Sequence, residues 1–321
     1  MFVPIFIAMK KILITLALLF VCAGAFSQFK GKYNWITGDL IFIMNGTEDN
    51  LTFMGGSCHE GGYRFGLKPT ETAGVYTLTS LDEDSDYAAI GKAGDIVKYI
   101  YDQKNAWHFL EVFHNGLLSE IVFRYDDDDN LYDKMTFDQM AQMNGEYTDE
   151  KGQKYLFDYG DCILGNLVPN KTSFKFGEEY DTPSNIITVG NNSFFYDITL
   201  PGMELYKATY DESNDCWEKG SLYARLKYID KGEGRFPWTS MMLINRSMVR
   251  GFDKKTLRIM RNEILARHGY NFTSKDLKDY FSSKDWYKPV EDNSTITLSL
   301  GEQAAVELIK SEETTPDSDR Y

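Results

Sequence analysis

Between residues 28 and about 230 the apolar positions come in short runs, aromatic and β-branched, with turn residues about every ten positions. Leu40-Ile41-Phe42-Ile43, Gly74-Val75-Tyr76-Thr77-Leu78 and residues 193–200 are of this kind and predict strands. The clearest pair is 106–114 with 117–125, joined by Asn115-Gly116. Those two residues accept the positive φ of a two-residue type I′ turn, so they predict a hairpin. The turn predicts a register in which His114 faces Leu117, Phe113 faces Leu118, Val112 faces Ser119 and Glu111 faces Glu120. Further along, Leu110 would face Ile121, Phe109 Val122, His108 Phe123 and Trp107 Arg124.

A weak internal echo suggests two β modules. Phe29-Lys30-Gly31-Lys32-Tyr33 leads to Ile41-Phe42 much as Met143-Asn144-Gly145-Glu146-Tyr147 leads to Leu156-Phe157. Cys58-His59-Glu60-Gly61-Gly62 loosely echoes Cys216-Trp217-Glu218-Lys219-Gly220. Entries of the Gly-x-Tyr kind into meandering strands are similar to those of small lipocalin-like barrels, and a single sandwich is the alternative. The polar stretch 132–143, with a faint helical rhythm, marks the seam.

Near Lys231-Gly232-Glu233-Gly234 the apolar spacing changes from two to 3.6. Asp253 is placed to cap a helix in which Leu257, Met260, Ile264 and His268 form one stripe, with Gly269 as its left-handed stop. Thr273-Ser274-Lys275-Asp276 predicts a capping-box start for a second helix carrying Leu277, Tyr280 and Phe281, and Trp286-Tyr287-Lys288-Pro289 ends it. Ser299 with Glu302 opens a third, from residue 303 to about 311. The fold class expected is therefore α+β. A β-rich N-terminal body of one or two small antiparallel barrels or sandwiches (modules at 28–135 and 140–230) precedes a small helical C-terminal domain at 238–313 and a loose tail at 314–321.

Residues 9–27 have the layout of a cleavable export signal. Lys10 and Lys11 precede an apolar core from Ile12 to Val21, and Ala23-Gly24-Ala25 supplies small residues at the exit. Cleavage after Ser27 is preferred over Ala25, and residues 1–8 read as lying before the true start. The lysine pair interrupts the run too early for a membrane anchor, and the bulky Val21 before Cys22 disfavours lipoprotein processing. No later segment is apolar enough to span a bilayer. The expectation is a protein secreted to the periplasm or cell surface. With Cys22 removed, Cys58, Cys162 and Cys216 allow one disulfide at most.

The net charge of −14 argues against nucleic acid as a partner. Its distribution is uneven: residues 246–288 carry eleven Lys or Arg against five Asp or Glu. A basic module thus stands between acidic stretches. Its stripe of Lys254, Lys255, Arg258, Arg261 and Arg267 is a candidate binding surface for an envelope protein or an anionic envelope polymer. Docking on the acidic β body of the same chain is the competing use.

Leu257-Arg258-Ile259-Met260-Arg261-Asn262-Glu263-Ile264-Leu265-Ala266-Arg267-His268-Gly269-Tyr270-Asn271-Phe272, followed by Leu277, Tyr280, Phe281 and Trp286-Tyr287, resembles the YARHG domain over roughly residues 238–313. One departure is Leu265, where the family's name begins with tyrosine. The resemblance implies a location outside the cytoplasm and carries no established reaction. Asn262, Glu263, Ala266, Arg267, His268, Gly269 and Trp286 are read as structural: His268 shares a stripe with Leu257 and Ile264, and Glu263 with Arg267 is an ordinary i, i+4 ion pair.

Candidate chemistry is thin. Glu111 and Glu120, if opposed across the hairpin, would form a carboxylate pair of the kind glycosidases use, so a hydrolase of envelope glycans is the alternative to a non-enzymatic binding or assembly protein. His108 and His114, six residues apart on one strand, stand about 20 Å from each other, too far to share a metal ion. Asp82-x-Asp84-x-Asp86 and Asp126-x-Asp128-x-Asn130 start like calcium loops but lack the later glycine and glutamate. No metal site and no cofactor is expected.

Overall fold

A computed structural model describes residues 33–37, 40–47, 50–56, 63–80, 90–125, 131–177 and 185–316. The export segment, Cys58 with the echo around it, and both Asp-rich loops lie outside the described residues, apart from Tyr125 before the second loop and Leu131 after it. The chain is α+β, with two antiparallel sheets followed by helices, and it divides into two compact units.

The first unit is built on a closed barrel. Its strands are β1 (Tyr33–Thr37), β2 (Leu40–Thr47), β3 (Asn50–Gly56), β4 (Tyr63–Pro69), β5 (Val75–Ser80), β6 (Ile96–Asp102), β7 (Trp107–His114) and β8 (Leu117–Tyr125). Each pairs antiparallel with the next, and β8 returns to β1, so the sheet has no edge. Trp35, Leu67, Tyr76, Leu78, Val97, Leu110, Val112 and Val122 form its main core cluster. The hairpin turns at Asn115 (φ 50°) and Gly116 (φ 80°), as the sequence predicts, with His114 opposite Leu117 and Phe113 opposite Leu118.

Beyond that point the register differs from the expectation. A β-bulge lies between Phe113 and Val112, so Val112 pairs with Glu120, Glu111 with Ile121, Leu110 with Val122 and Phe109 with Phe123. The Ser119 hydroxyl fills the extra position by donating to the Val112 carbonyl at 2.9 Å. Two-residue turns fix only the start of a ladder, and the bulge shifts the rest by one.

Phe109, Ile121 and Phe123 are buried although they alternate with the core residues Leu110 and Val122. Two segments far away in sequence, Leu243–Ser247 and Ser299–Ser311, belong to this same unit. The latter is most of helix α6 (Leu300–Thr314, numbered after the helices given below), which starts with the reciprocal capping box expected of Ser299 and Glu302. The Gly301 N–H donates to the Asp102 carboxylate at 3.1 Å, and a Cβ at Gly301 would stand 2.5 Å from the Trp107 ring. Only glycine lets the helix start that close to β7.

The second unit holds a nine-stranded sheet. Its strands are β9 (Gly145–Thr148), β10 (Lys154–Asp158), β11 (Asp161–Leu164), β12 (Val168–Ser173), β13 (Lys175–Phe176), β14 (Ile186–Val189), β15 (Asn192–Thr199), β16 (Gly202–Asp211) and β17 (Cys216–Tyr228). They run β12-β11-β10-β9-β17-β16-β15-β14-β13, a meander whose first strand meets its last, open between β12 and β13. The echo has a structural counterpart here, because Tyr33 opens β1 and Tyr147 lies in β9, each the strand that pairs with the last of its sheet. Tyr147, Phe157, Phe174, Phe176 and Tyr196 form an edge-to-face aromatic chain through the core. Helix α1 (Leu131–Met143) occupies the expected seam and adds Met140 and Met143 to that core. The remaining helices are α2 (Trp238–Met241), α3 (Arg246–Arg250), α4 (Lys254–Arg267) and α5 (Lys275–Ser282).

Candidate functional site

Helix α4 begins at Asp253, whose carboxylate accepts from the N–H groups of Lys255 and Thr256 and from the Thr256 hydroxyl. Its buried stripe is Leu257, Met260 and Ile264, covered by Leu277 and Phe281 of α5. The helix ends in a Schellman pattern: Gly269 has φ +78°, its N–H bonds to the Ala266 carbonyl, and the Tyr270 N–H reaches back to Leu265. His268, expected to be largely buried, is half-buried at the C-cap, because the turn at Gly269 carries it out of the stripe. The Ser274 cap is also different from expectation. Its hydroxyl donates to Asp276, which Arg258 also pairs with, instead of capping α5.

Glu263 is the centre of the site. It is 1 % exposed, and its carboxylate accepts from the N–H of Arg235 (2.9 Å), the N–H of Phe236 (2.6 Å) and the Arg267 guanidinium (2.6 Å). Gly234 makes the approach possible: a Cβ there would lie 2.3 Å from the carboxyl carbon, and its φ is +86°. Burial pushes the Glu263 carboxyl up, against the pull of Arg267 and the two backbone donors. Arg267 also donates to the Glu233 carbonyl (2.9 Å), the Ser240 hydroxyl (2.9 Å) and the Thr239 hydroxyl (3.3 Å). Asn262 donates to the Arg258 carbonyl at 2.7 Å, and Ala266 is buried.

Two further ties hold the site to the nine-stranded sheet. Arg235 is buried with its guanidinium 4.8 Å from the Tyr228 ring and 5.5 Å from Tyr147, and one Nη donates to the Gly202 carbonyl at 3.1 Å. Asp230, just after β17, accepts from the Trp286 indole N–H at 2.8 Å and from the N–H groups of Gly232 and Gly234. Burial pushes the Asp230 carboxyl up, and Trp286, those two amides and Lys284 outweigh it, leaving it below the ordinary carboxylate range. Trp286 also packs edge-on to Phe281 at 6.3 Å.

Residues 235–314 match the YARHG domain. The match covers about a quarter of the chain, starts on the caged Arg235 and ends at Thr314, the last residue of α6. No curated protein and no solved structure matches the chain. The YARHG domain is consistent with an extracellular or envelope protein, and among the described residues no helix is long and apolar enough to cross a membrane.

Of the basic stripe, Arg258 pairs with Asp276, Arg261 with Glu313 (2.9 Å) and Arg267 with Glu263, all within the second unit. Lys254 and Lys255 are exposed at the start of α4. Sequence reading missed Asp230, Gly234 and Arg235, although the Gly232-x-Gly234 break pointed at them. The break marks the change of periodicity and is also the loop that wraps Glu263.

Glu111 and Glu120 are not cross-strand partners, which removes the observation behind a glycosidase-like pair. The Glu120 carboxylate accepts from the N–H groups of Ile121 and Arg246, both at 2.9 Å. Burial pushes the Glu111 carboxyl up, Lys98 on β6 lowers it, and Glu307 of α6 raises it. His108 bonds the Tyr99 hydroxyl at 2.7 Å and His114 the Asp95 carboxylate at 2.8 Å. Among the described residues no cluster of three His, Cys, Asp or Glu is placed to hold a metal. Cys162 is buried, its thiol pushed up to about 12 by burial and Asp161, and Cys216 is exposed; both are free.

Proposed function

We propose that this chain is an exported, non-enzymatic binding or assembly protein of the cell envelope. Residues 1–27 are its export signal, the β modules at 28–135 and 140–230 are its partner-facing body, and the YARHG domain is an accessory domain that fastens the structure. The observation that carries this reading is the saturation of the motif's charged groups. Glu263 and Arg267 spend their hydrogen bonds on each other and on local backbone and hydroxyls, which is what a structural clasp does and leaves little for a substrate. The export pattern of Lys10, Lys11 and the apolar core, together with the YARHG domain, supports the envelope location. Lys254 and Lys255 remain the exposed part of the basic stripe, suited to an envelope protein or an anionic envelope polymer.

Expressing the full chain in a host with two membranes, fractionating the cells and weighing the mature protein tests the location. A mature form starting at Gln28 or Phe26 outside the cytoplasm is the expected result, and a cytoplasmic protein retaining Lys10 and Lys11 would sink it. Co-sedimentation with isolated envelopes at low and high salt tests the binding. Retention that weakens with salt and with Lys254→Glu/Lys255→Glu is expected. No retention at any salt would overturn the binding role.

A further inference from the structure

Strand β9 has four residues and β17 thirteen, and they pair only through Thr148 with Lys227 and Tyr147 with Tyr228. The Tyr228 N–H donates to the Pro201 carbonyl, on the β16 side, and the Ile229 N–H to the Glu146 carbonyl, on the β9 side, both at 2.8 Å. Backbone groups of a strand alternate between its two sides, so Lys227 and Arg225 also aim their N–H and C=O toward β9. Thr148 meets those of Lys227. At Arg225 β9 has already ended. The Asp149 N–H turns back to the Gln153 carbonyl at 3.1 Å, and among the described residues no strand pairs with Arg225 on that side.

A cavity of about 260 Å³ opens there, lined by Asp149, Glu150, Lys151, Gln153 and Tyr155 on one side and by residues 222–225 on the other. A β-bulge opposite Leu205 and Tyr206 bends β17 at the far end, so the slot is short. Leu222, 41 % exposed, gives it an apolar wall. The charges around it are lopsided. The register sets Lys154 and Lys227 on either side of Thr148, on one face of the sheet and about 10 Å apart. Neither these two nor Lys151 has an ion pair among the described residues. The nearby acids are already engaged: Glu204 and Glu150 lie 2.7 and 3.9 Å from Arg225, and the Asp149 carboxylate accepts from the N–H groups of Lys151 and Gln153.

We infer that this slot takes an extended, acidic segment of a partner protein, which adds as a strand beside Arg225 and lays its carboxylates on Lys151, Lys154 and Lys227. Unpaired strand backbone is complementary to another strand, and free lysines beside it select the sign of the side chains. The turn at residues 149–153 bounds the slot, so a single segment fits where the edge of a second copy, carrying its own turn, would collide. Charges act over about 8 Å at physiological salt, so the three lysines outweigh the chain's net −14 at this place. The inference deepens the binding role proposed above and rests on it, giving that role a surface on the β body and a partner chemistry.

The test is amide NMR of the full chain, titrated with a pool of short acetylated peptides that alternate Glu with Val, Ile or Thr. A shift and slowed exchange of the Arg225 amide are expected, with changes at residues 149–153 and 222–226. Methylating alternate backbone nitrogens of the peptides, or Lys154→Glu/Lys227→Glu in the protein, should each weaken binding roughly tenfold. A pool with Lys in place of Glu should not bind. No change at residues 222–226, or equal binding by the methylated or the lysine pool, overturns the inference. An Arg225 amide already protected without peptide would show that a second copy or another segment of this chain fills the slot, and overturns it as well. None of these outcomes touches cell fractionation or envelope co-sedimentation through Lys254 and Lys255, so the proposed function and this inference fail separately.

Discussion

The guanidinium of Arg235 lies 4.8 Å from the centre of the Tyr228 ring, so the first residue of the YARHG match is buried against the last strand of the nine-stranded sheet. Its Nε finds no hydrogen-bond partner, and the aromatic rings supply the remaining stabilisation. Arg235→Ala should therefore lower the stability of the second unit by about 2 kcal/mol or more, through lost packing and lost cation–π contact. Arg235→Met, which keeps the volume and removes a half-satisfied buried charge, should recover much of that loss. Thermal unfolding of the three proteins checks this, and equal behaviour of Ala and Met variants would contradict it.

Glu263 and Arg267 should behave as a coupled pair. Removing one partner leaves a buried charge without compensation, so Arg267→Ala and Glu263→Ala should each cost about 3–5 kcal/mol. The double variant should cost clearly less than the two losses added together. A double-mutant cycle by chemical denaturation reads this directly. Additive losses would mean that the two side chains contribute independently.

Three glycines of the C-terminal region have different fates on gaining a side chain. Gly234→Ala should be the worst, because its Cβ would meet the Glu263 carboxyl at 2.3 Å in a left-handed backbone. Gly269→Val should cost more than about 1 kcal/mol, since φ is +78° and the Lys288 carbonyl lies 2.7 Å from the new Cβ. Gly251→Ala, with open space around it and no positive φ, should be near neutral. Tm values in another order would contradict the geometry.

Acid should loosen the second unit through Asp230 and Asp253. For Asp253, burial pushes its carboxyl up, and the Thr256 hydroxyl with the N–H groups of Thr256 and Lys255 outweighs it, leaving it lowered as Asp230 is. A carboxyl whose folded pKa is depressed binds its proton more readily when unfolded. Its contribution is complete above the unfolded value of about 4 and is lost as pH falls through the folded value. Glu263, pushed up by burial, has the opposite sign and contributes less as pH rises. Asp230→Asn and Asp253→Asn should flatten the fall in stability below about pH 4, and an unchanged acid limb in both would refute the assignment.

Local signals were legible, and long-range closures were not. Asn115-Gly116, Asp253, Gly269 and the Ser299/Glu302 box each specify a turn or cap through their own backbone chemistry, and each stands where the pattern puts it. The bulge at Ser119 left no trace in the apolar alternation, since shifting the register of a strand apolar on both faces changes no burial count. The pairing of the arginines in the basic stripe is hidden for a related reason. Net charge of a segment does not reveal that Asp276, Glu313 and Glu263 take up its arginines. Of the groups around Glu263 only Arg267, four residues along the same helix, is legible in the sequence, because the other two donors are the backbone N–H groups of Arg235 and Phe236, which lie 28 and 27 residues away in the chain.

The barrel should depend on helix α6. Phe109, Ile121 and Phe123 are apolar side chains on the face of β7 and β8 that alternates with the core residues, and without cover they would form an exposed apolar patch. Ser299–Ser311 belongs to the barrel unit, and its Ala304, Ala305, Leu308 and Ile309 are buried. Gly301 fixes where the helix meets Trp107 and Asp102. Leu308→Ala should therefore cost about 2–5 kcal/mol. Hydrogen exchange should show the loss in Trp107–His114 and Leu117–Tyr125, with the strands Asn192–Thr199 and Gly202–Asp211 of the other unit unaffected. Gly301→Val should act on the same strands, because its side chain would have to displace the Trp107 ring. Faster exchange confined to Lys254–Arg267 in either variant would show that α6 supports its own domain and not the barrel.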